Sequence, residues 1–126
     1  MSNFISLHNQ TSYSLLDSLC SVKDLFNKAK EFNQSAIAIT DHGTLAATWE
    51  AFKLYKSTGI KLIIGCECYF TNDASNIESK MRHVIFIAKN AIGYRNLLTI
   101  NKKGFDQGKV AGNACGPGLY GLRLWV

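Results

Sequence analysis

Six side chains in this sequence could do chemistry together: His8, Asp17, Asp41, His42, Glu67 and His83. They include all three histidines of the chain. His8 ends a short apolar run, Phe4-Ile5-Ser6-Leu7, and a polar turn then leads to Asp17. Asp41-His42-Gly43 closes a second apolar run, Glu67 sits inside a third, and His83 opens a fourth. Imidazole and carboxylate groups together suit zinc, manganese or iron, and a carboxylate can bridge two ions. Ions about 3.5–4 Å apart polarise a phosphoryl oxygen and generate a nucleophile from water, which is the chemistry of phosphoester hydrolysis. Each residue also has an ordinary structural use. His8 and His83 can bond to backbone in a core, Asp41 can cap the next helix, and Asp17 can serve a turn. Glu67 is hardest to explain that way, because an unpaired carboxylate in an apolar strand is costly to bury.

The elements that must position these groups follow from hydrophobic periodicity. Phe4–Leu7 alternates like a strand entering a core. Ser21 is placed to cap a helix over 22–33, in which Val22, Leu25, Phe26 and Ala29 form one apolar stripe. Residues 35–40 are a nearly continuous apolar run, as expected of a strand covered on both faces. A second helix is predicted over 44–57, stopping at Gly59, with Ala47, Ala51, Leu54 and Tyr55 packing. Strands follow at 61–70 and 83–89, separated by a polar loop over 71–80. A helix from about 91 to 101 ends near Gly104. The early order, strand–helix–strand–helix–strand, builds parallel sheets and barrels, where binding groups gather at the carboxyl ends of strands. His8, Asp41-His42 and Glu67 fall at or near the ends of three successive strands.

A chain of 126 residues supports one core but is short for an α/β barrel, which takes about 250. Residues 1–70 are electrically balanced, whereas 71–126 hold eight basic and three acidic side chains and carry the whole net charge of +5. A basic half suits either a phosphate-bearing partner or a plain solvated face. Of the four cysteines, Cys66 and Cys68 share one strand without the CxxC spacing of a zinc or redox site, and alternation is taken to send them to opposite faces. No apolar run approaches membrane-spanning length and no secretory leader is visible, so a cytoplasmic protein with reduced thiols and no membrane partner is expected. Residues 104–126 hold six of the ten glycines and the only proline, and read as a poorly ordered tail.

The runs LHNQTSYSLLDSL, AIAITDHGTL, GIKLIIGCECYF and RHVIFIAKNAIGYRNLL, in this order and spacing, resemble the PHP (polymerase and histidinol phosphatase) domain. They are closest in character to the PHP domains that open bacterial DNA polymerase III alpha subunits. The resemblance implies an α/β fold, here the first half of a distorted (βα)7 barrel over residues 1–104, with 105–126 as a divergent tail. It implies a divalent metal cluster of zinc, manganese or iron, held by His8, Asp17, His42, Glu67 and His83. Glu67 is its bridging carboxylate. Glu67 and Asp41 are the implied catalytic carboxylates, Asp41 by orienting rather than ligating. Gln10 stands where the family has a second histidine ligand, and a neutral amide is a poor ligand for a transition metal. The family's later ligands fall beyond residue 104 and are missing from this sequence. The implied function is a phosphoesterase-type site, 3′–5′ exonuclease-like, linked to DNA replication and incomplete in this chain. Its implied partners are DNA or another phosphoester, and the remainder of a replicative polymerase or its proofreading subunit. The alternatives are a non-catalytic scaffold of a replicase and an inert product of a truncated, frame-shifted or split gene.

Overall fold

A computed structural model of the chain describes residues 4–70, 80 and 82–107, with side chains as far as residue 104. The anticipated tail from residue 108 onward and most of the 71–80 loop lie outside the described residues. The elements are α1 (Val22–Glu31), β1 (Ala36–Ile39), α2 (Thr48–Thr58), β2 (Lys61–Phe70), β3 (Arg82–Ile87) and α3 (Ala91–Gln107). The three strands form one sheet in the order β1-β2-β3. β1 and β2 run parallel, with Ala36 opposite Lys61, and α2 makes the crossover between them. β3 is antiparallel to β2, with Glu67 opposite Ile85 and Tyr69 opposite His83.

Local chemistry explains most boundaries. Ser21 Oγ accepts from the Asp24 backbone N–H at 3.0 Å, and its own hydroxyl donates to the Asp24 carboxylate at 2.6 Å, which starts α1. One stripe of that helix (Val22, Phe26, Ala29) is buried against Ile37 and Ile39 of β1 and Ala47, Ala51 and Ile60 around α2. Burying Phe26 and Val22 at this junction contributes on the order of 2 kcal/mol each. All four residues of β1 are buried, as its continuous apolar run requires. Gly59, at φ 74, ends α2 in the left-handed conformation and donates to Tyr55 O at 2.9 Å.

Four expectations need correction. Phe4–Leu7 is not a strand, and Phe4 and Leu7 are largely exposed. The Asn9 side chain donates to Ala38 O at 3.0 Å, filling a carbonyl on the β1 edge that a paired strand would have used. Asn9 is further held by Thr40, which donates to Asn9 O and accepts from Asn9 N. The second helix begins at Thr48, because Thr44 Oγ1 accepts from Ala46 N and Leu45 O from Thr48 N, making a separate turn. α3 continues through Gly104 to Gln107, since one glycine inside a helix costs only about 0.5–1 kcal/mol. Finally, Cys66 and Cys68 lie on one face, both buried in a second cluster with Leu45, Phe86 and Ile100. Residues two apart on a strand share a face, so the expectation of opposite faces misapplied the alternation. Among the described residues no helix is long and apolar enough to cross a membrane.

Candidate metal centre

The same two-residue period decides which β2 residues face the candidate centre. With Cys66 and Cys68 turned into the second core, Gly65, Glu67 and Tyr69 face the other way, beside His83 and Ile85 of β3. Gly65 is required here, because a Cβ would come within 2.6 Å of Phe86 O and 2.8 Å of Thr40 Cγ2. The parallel pairing is extended past β1 by one bridge between His42 and Glu67, in which Glu67 N donates to Asp41 O and Gly43 N to Glu67 O. The bridge sets the turn after β1 beside the middle of β2. Asn101 of α3 fastens that turn by donating to Gly43 O at 2.6 Å.

Asp41 organises the segment that carries His8, Gln10 and Asp17. Its buried carboxylate accepts from Thr11 N at 2.6 Å, from the Thr11 hydroxyl at 2.9 Å and from the Ser14 hydroxyl at 2.8 Å. Ser14 Oγ in turn accepts from His42 N at 3.0 Å. Segment 11–14 is thereby clamped onto the end of β1. The carboxylate of Asp41 points at these loop donors and not at the other candidate residues.

Glu67 is the hub of the remaining groups and is only 2% exposed. His8 Nε2 lies 3.2 Å from Glu67 Oε2, and His83 Nδ1 lies 2.5 Å from Glu67 Oε1. Gln10 Nε2 also donates to Glu67 Oε2. Burial pushes the Glu67 carboxyl up, but hydrogen bonds from His8 and Gln10 and the charges of His83 and His8 outweigh it and hold it below its ordinary value. His42 stands apart from this hub, with Nδ1 3.0 Å from Asp17 Oδ2. Its ring packs edge-on against Tyr69 at 4.8 Å and His83 at 5.2 Å between centroids. Asp17 can only accept, so Nδ1 carries the proton and Nε2 exposes its lone pair. That Nε2 is buried and, among the described residues, has no hydrogen-bond partner.

His8, Glu67 and His83 thus come together directly, and His42 joins them through ring contact. Asp17 enters only through His42. Among the described residues, no three or more His, Cys, Asp or Glu side chains are disposed as they stand to hold one ion. Their chemistry still fits a metal. Two ligands of one ion, at bonds of about 2.0–2.2 Å, sit about 3 Å apart, which is the spacing of the His8–Glu67 contact. The orphaned Nε2 of His42, fixed by a carboxylate on its other nitrogen, is the arrangement of a metal-binding imidazole. Tyr69, which also packs on His83 at 4.6 Å, went unnoticed in the sequence although its place two residues after Glu67 puts it on the same face. Thr11 and Ser14 gave no local signal, since their partner is about thirty positions away.

Comparison with known proteins adds the following. A family model described as the PHP domain matches residues 6–118, a match that runs past the boundary at 104 expected from the sequence. DNA polymerase III subunit alpha of Borreliella burgdorferi is 40% identical over 113 residues, 85% of this chain. The corresponding subunit of Treponema pallidum is 38% identical over 112 residues, 84% of this chain. The chain spans about a tenth of the length of these relatives. Among solved structures, one described as a metal-dependent phosphoesterase from Bifidobacterium adolescentis has a TM-score of 0.55 at 20% identity. An amidohydrolase from Chromobacterium violaceum, solved with sulfate and no metal, has a TM-score of 0.58 at 18% identity. Each covers 83% of this chain and 35% of the other. At such identities the likeness is one of fold.

Proposed function

Because this chain belongs to the PHP domain family, we propose that it is the PHP portion of a DNA polymerase III alpha-like protein with a divalent-metal, phosphoesterase-type centre. The sheet and helices are then the first part of a distorted (βα)7 barrel. The observation that carries the reading is the buried, unpartnered Nε2 of His42 beside the Glu67 hub. His8, His42, Glu67 and His83 would hold the metal, with Asp17 either joining them or fixing the tautomer of His42. When bound, a divalent ion supplies polarisation of a phosphoryl oxygen and acidifies water.

The chain's own residues do the rest. Asp17 keeps the His42 proton on Nδ1, so Nε2 remains a donor of its lone pair. Glu67 is held ionised by its hydrogen-bond partners and offers negative charge on the floor of the site. Tyr69 packs edge-on against the rings of both His42 and His83, and the His42 ring is buried beneath it. Asp41 acts by position, clamping the segment that brings His8, Gln10 and Asp17 to the strand ends. The substrate class is a phosphoester such as a DNA 3′ end, and the wider setting is replication, beside the remainder of a polymerase or its proofreading subunit. A second reading, a non-catalytic scaffold in a replicase, is favoured by one observation: both oxygens of Glu67 are already occupied by His8, Gln10 and His83.

Turnover of bis(p-nitrophenyl) phosphate by the full chain in manganese or zinc separates the two. The catalytic reading expects hydrolysis that chelator abolishes and that His42→Ala lowers by about ten- to a hundredfold, the scale for removing a group that positions a metal. Hydrolysis no faster than the metal blank, with stable folding, leaves the scaffold reading.

A further inference from the structure

Three donors compete for one buried carboxylate, and they are not chemically alike. An imidazole nitrogen can give a carboxylate its proton or give a metal its lone pair, so His8 and His83 can change allegiance. The Gln10 amide cannot do both with one atom, because turning its oxygen toward a metal would break its bond to Glu67. Only its NH2 end can face Glu67 Oε2, because its carbonyl oxygen would repel the carboxylate, and the NH2 nitrogen has no lone pair for a metal. Nor is Gln10 free to drift. Its backbone carbonyl accepts from Ser18 Oγ at 3.0 Å, the Asn9 backbone before it is tied to Thr40, and Thr11 after it is clamped to Asp41, so the main chain that carries the amide is fixed.

From this geometry we propose that Gln10 is a hydrogen-bond lock on Glu67, a positioning residue that lowers the metal affinity of the centre without ligating. A cation reaching Glu67 Oε2 must first displace the amide. The lock also satisfies Glu67 when no cation is bound, so the metal-free fold is supported by Gln10 and the metal-bound state is opposed by it. The inference rests on the metal-centre reading above. It goes further in assigning one side chain opposite effects on the two states.

The test is calorimetric titration of the full chain with manganese chloride and, separately, zinc chloride, alongside thermal unfolding with and without metal. Gln10→Met keeps the side-chain volume without a donor, and Gln10→Ala is the second variant should Met disturb packing. The expected result is metal binding about tenfold tighter in either variant, the effect of removing one hydrogen bond to a charged group. The metal-free Tm should fall while the metal-induced rise in Tm grows, a pair of opposite signs that a merely structural role would not produce. Wild-type binding that His42→Ala weakens but that both Gln10 variants leave within twofold overturns the lock and spares the metal centre. No binding by wild type or by either folded Gln10 variant overturns both.

Discussion

Asp41 holds more of the site in place than any other side chain, and its removal can be worked through bond by bond. The carboxylate is 1% exposed and serves three donors: the Thr11 N–H, the Thr11 hydroxyl and the Ser14 hydroxyl. Thr11 and Ser14 are themselves 0% and 1% exposed, so water cannot replace the lost acceptor. In Asp41→Asn the retained oxygen can keep Thr11 N and Ser14 Oγ, while the Thr11 hydroxyl turns to accept from the new amide. The loss is charge assistance, about 1 kcal/mol per bond and about 2–3 kcal/mol together. Asp41→Ala instead leaves three buried donors without an acceptor, at about 1–3 kcal/mol each, partly offset because no charge is buried any longer. An expected cost of about 4–6 kcal/mol would consume most of the stability of a domain this size. Urea unfolding followed by circular dichroism gives both numbers. Hydrogen exchange adds the local reading, since the Thr11 and His42 amides lose their acceptors when Asp41 and Ser14 release them. If Asp41→Ala costs less than about 1 kcal/mol, or those amides stay protected, the clamp is not what holds the loop.

Three further outcomes follow from single features of the fold. Gly65→Ala should cost about 2–3 kcal/mol in urea unfolding, because its methyl would lie 2.6 Å from the Phe86 carbonyl in the paired strand. Leu16 is 90% exposed at φ 69, so Leu16→Gly should be stabilising by up to about 1 kcal/mol, read as a rise in the urea midpoint. Glu67 has a lowered folded pKa, so the stability it contributes is complete above its ordinary value of 4.5 and is lost as pH falls through the lower folded value. An acid titration of stability should therefore steepen below pH 4.5, and Glu67→Gln should flatten that limb.

Local pattern made some of this fold legible and not the rest. The stripe of Val22, Phe26 and Ala29 announces α1, and the apolar run 61–70 coincides with β2, because burial in each depends on neighbours in sequence. Phe4–Leu7 has the same alternation but forms no strand. Whether such a run pairs depends on the β1 edge some thirty residues away, and there Asn9 takes the acceptor. Within the site, the meeting of Glu67 and His83 is legible from their places on consecutive apolar runs, whereas His8 reaches Glu67 from a loop and not from the strand end expected of it. The separation of Asp41 from them is not legible, because its donors Thr11 and Ser14 are ordinary polar loop residues until the fold brings them together. Gln10 stood out in the sequence only by resemblance, as an amide where a ligand was expected. Its contact with Glu67 is a tertiary fact.

If His8, His42, Glu67 and His83, with Asp17, hold a divalent metal, the purified chain should carry one. Metal content by plasma mass spectrometry, after loading with manganese or zinc and desalting, tests this most directly, with His42→Ala and Glu67→Gln as paired controls. The expected result is metal retained by the wild type and lost in both variants while circular dichroism shows each still folded. Metal absent from the folded wild type, or retained undiminished by both variants, would contradict it.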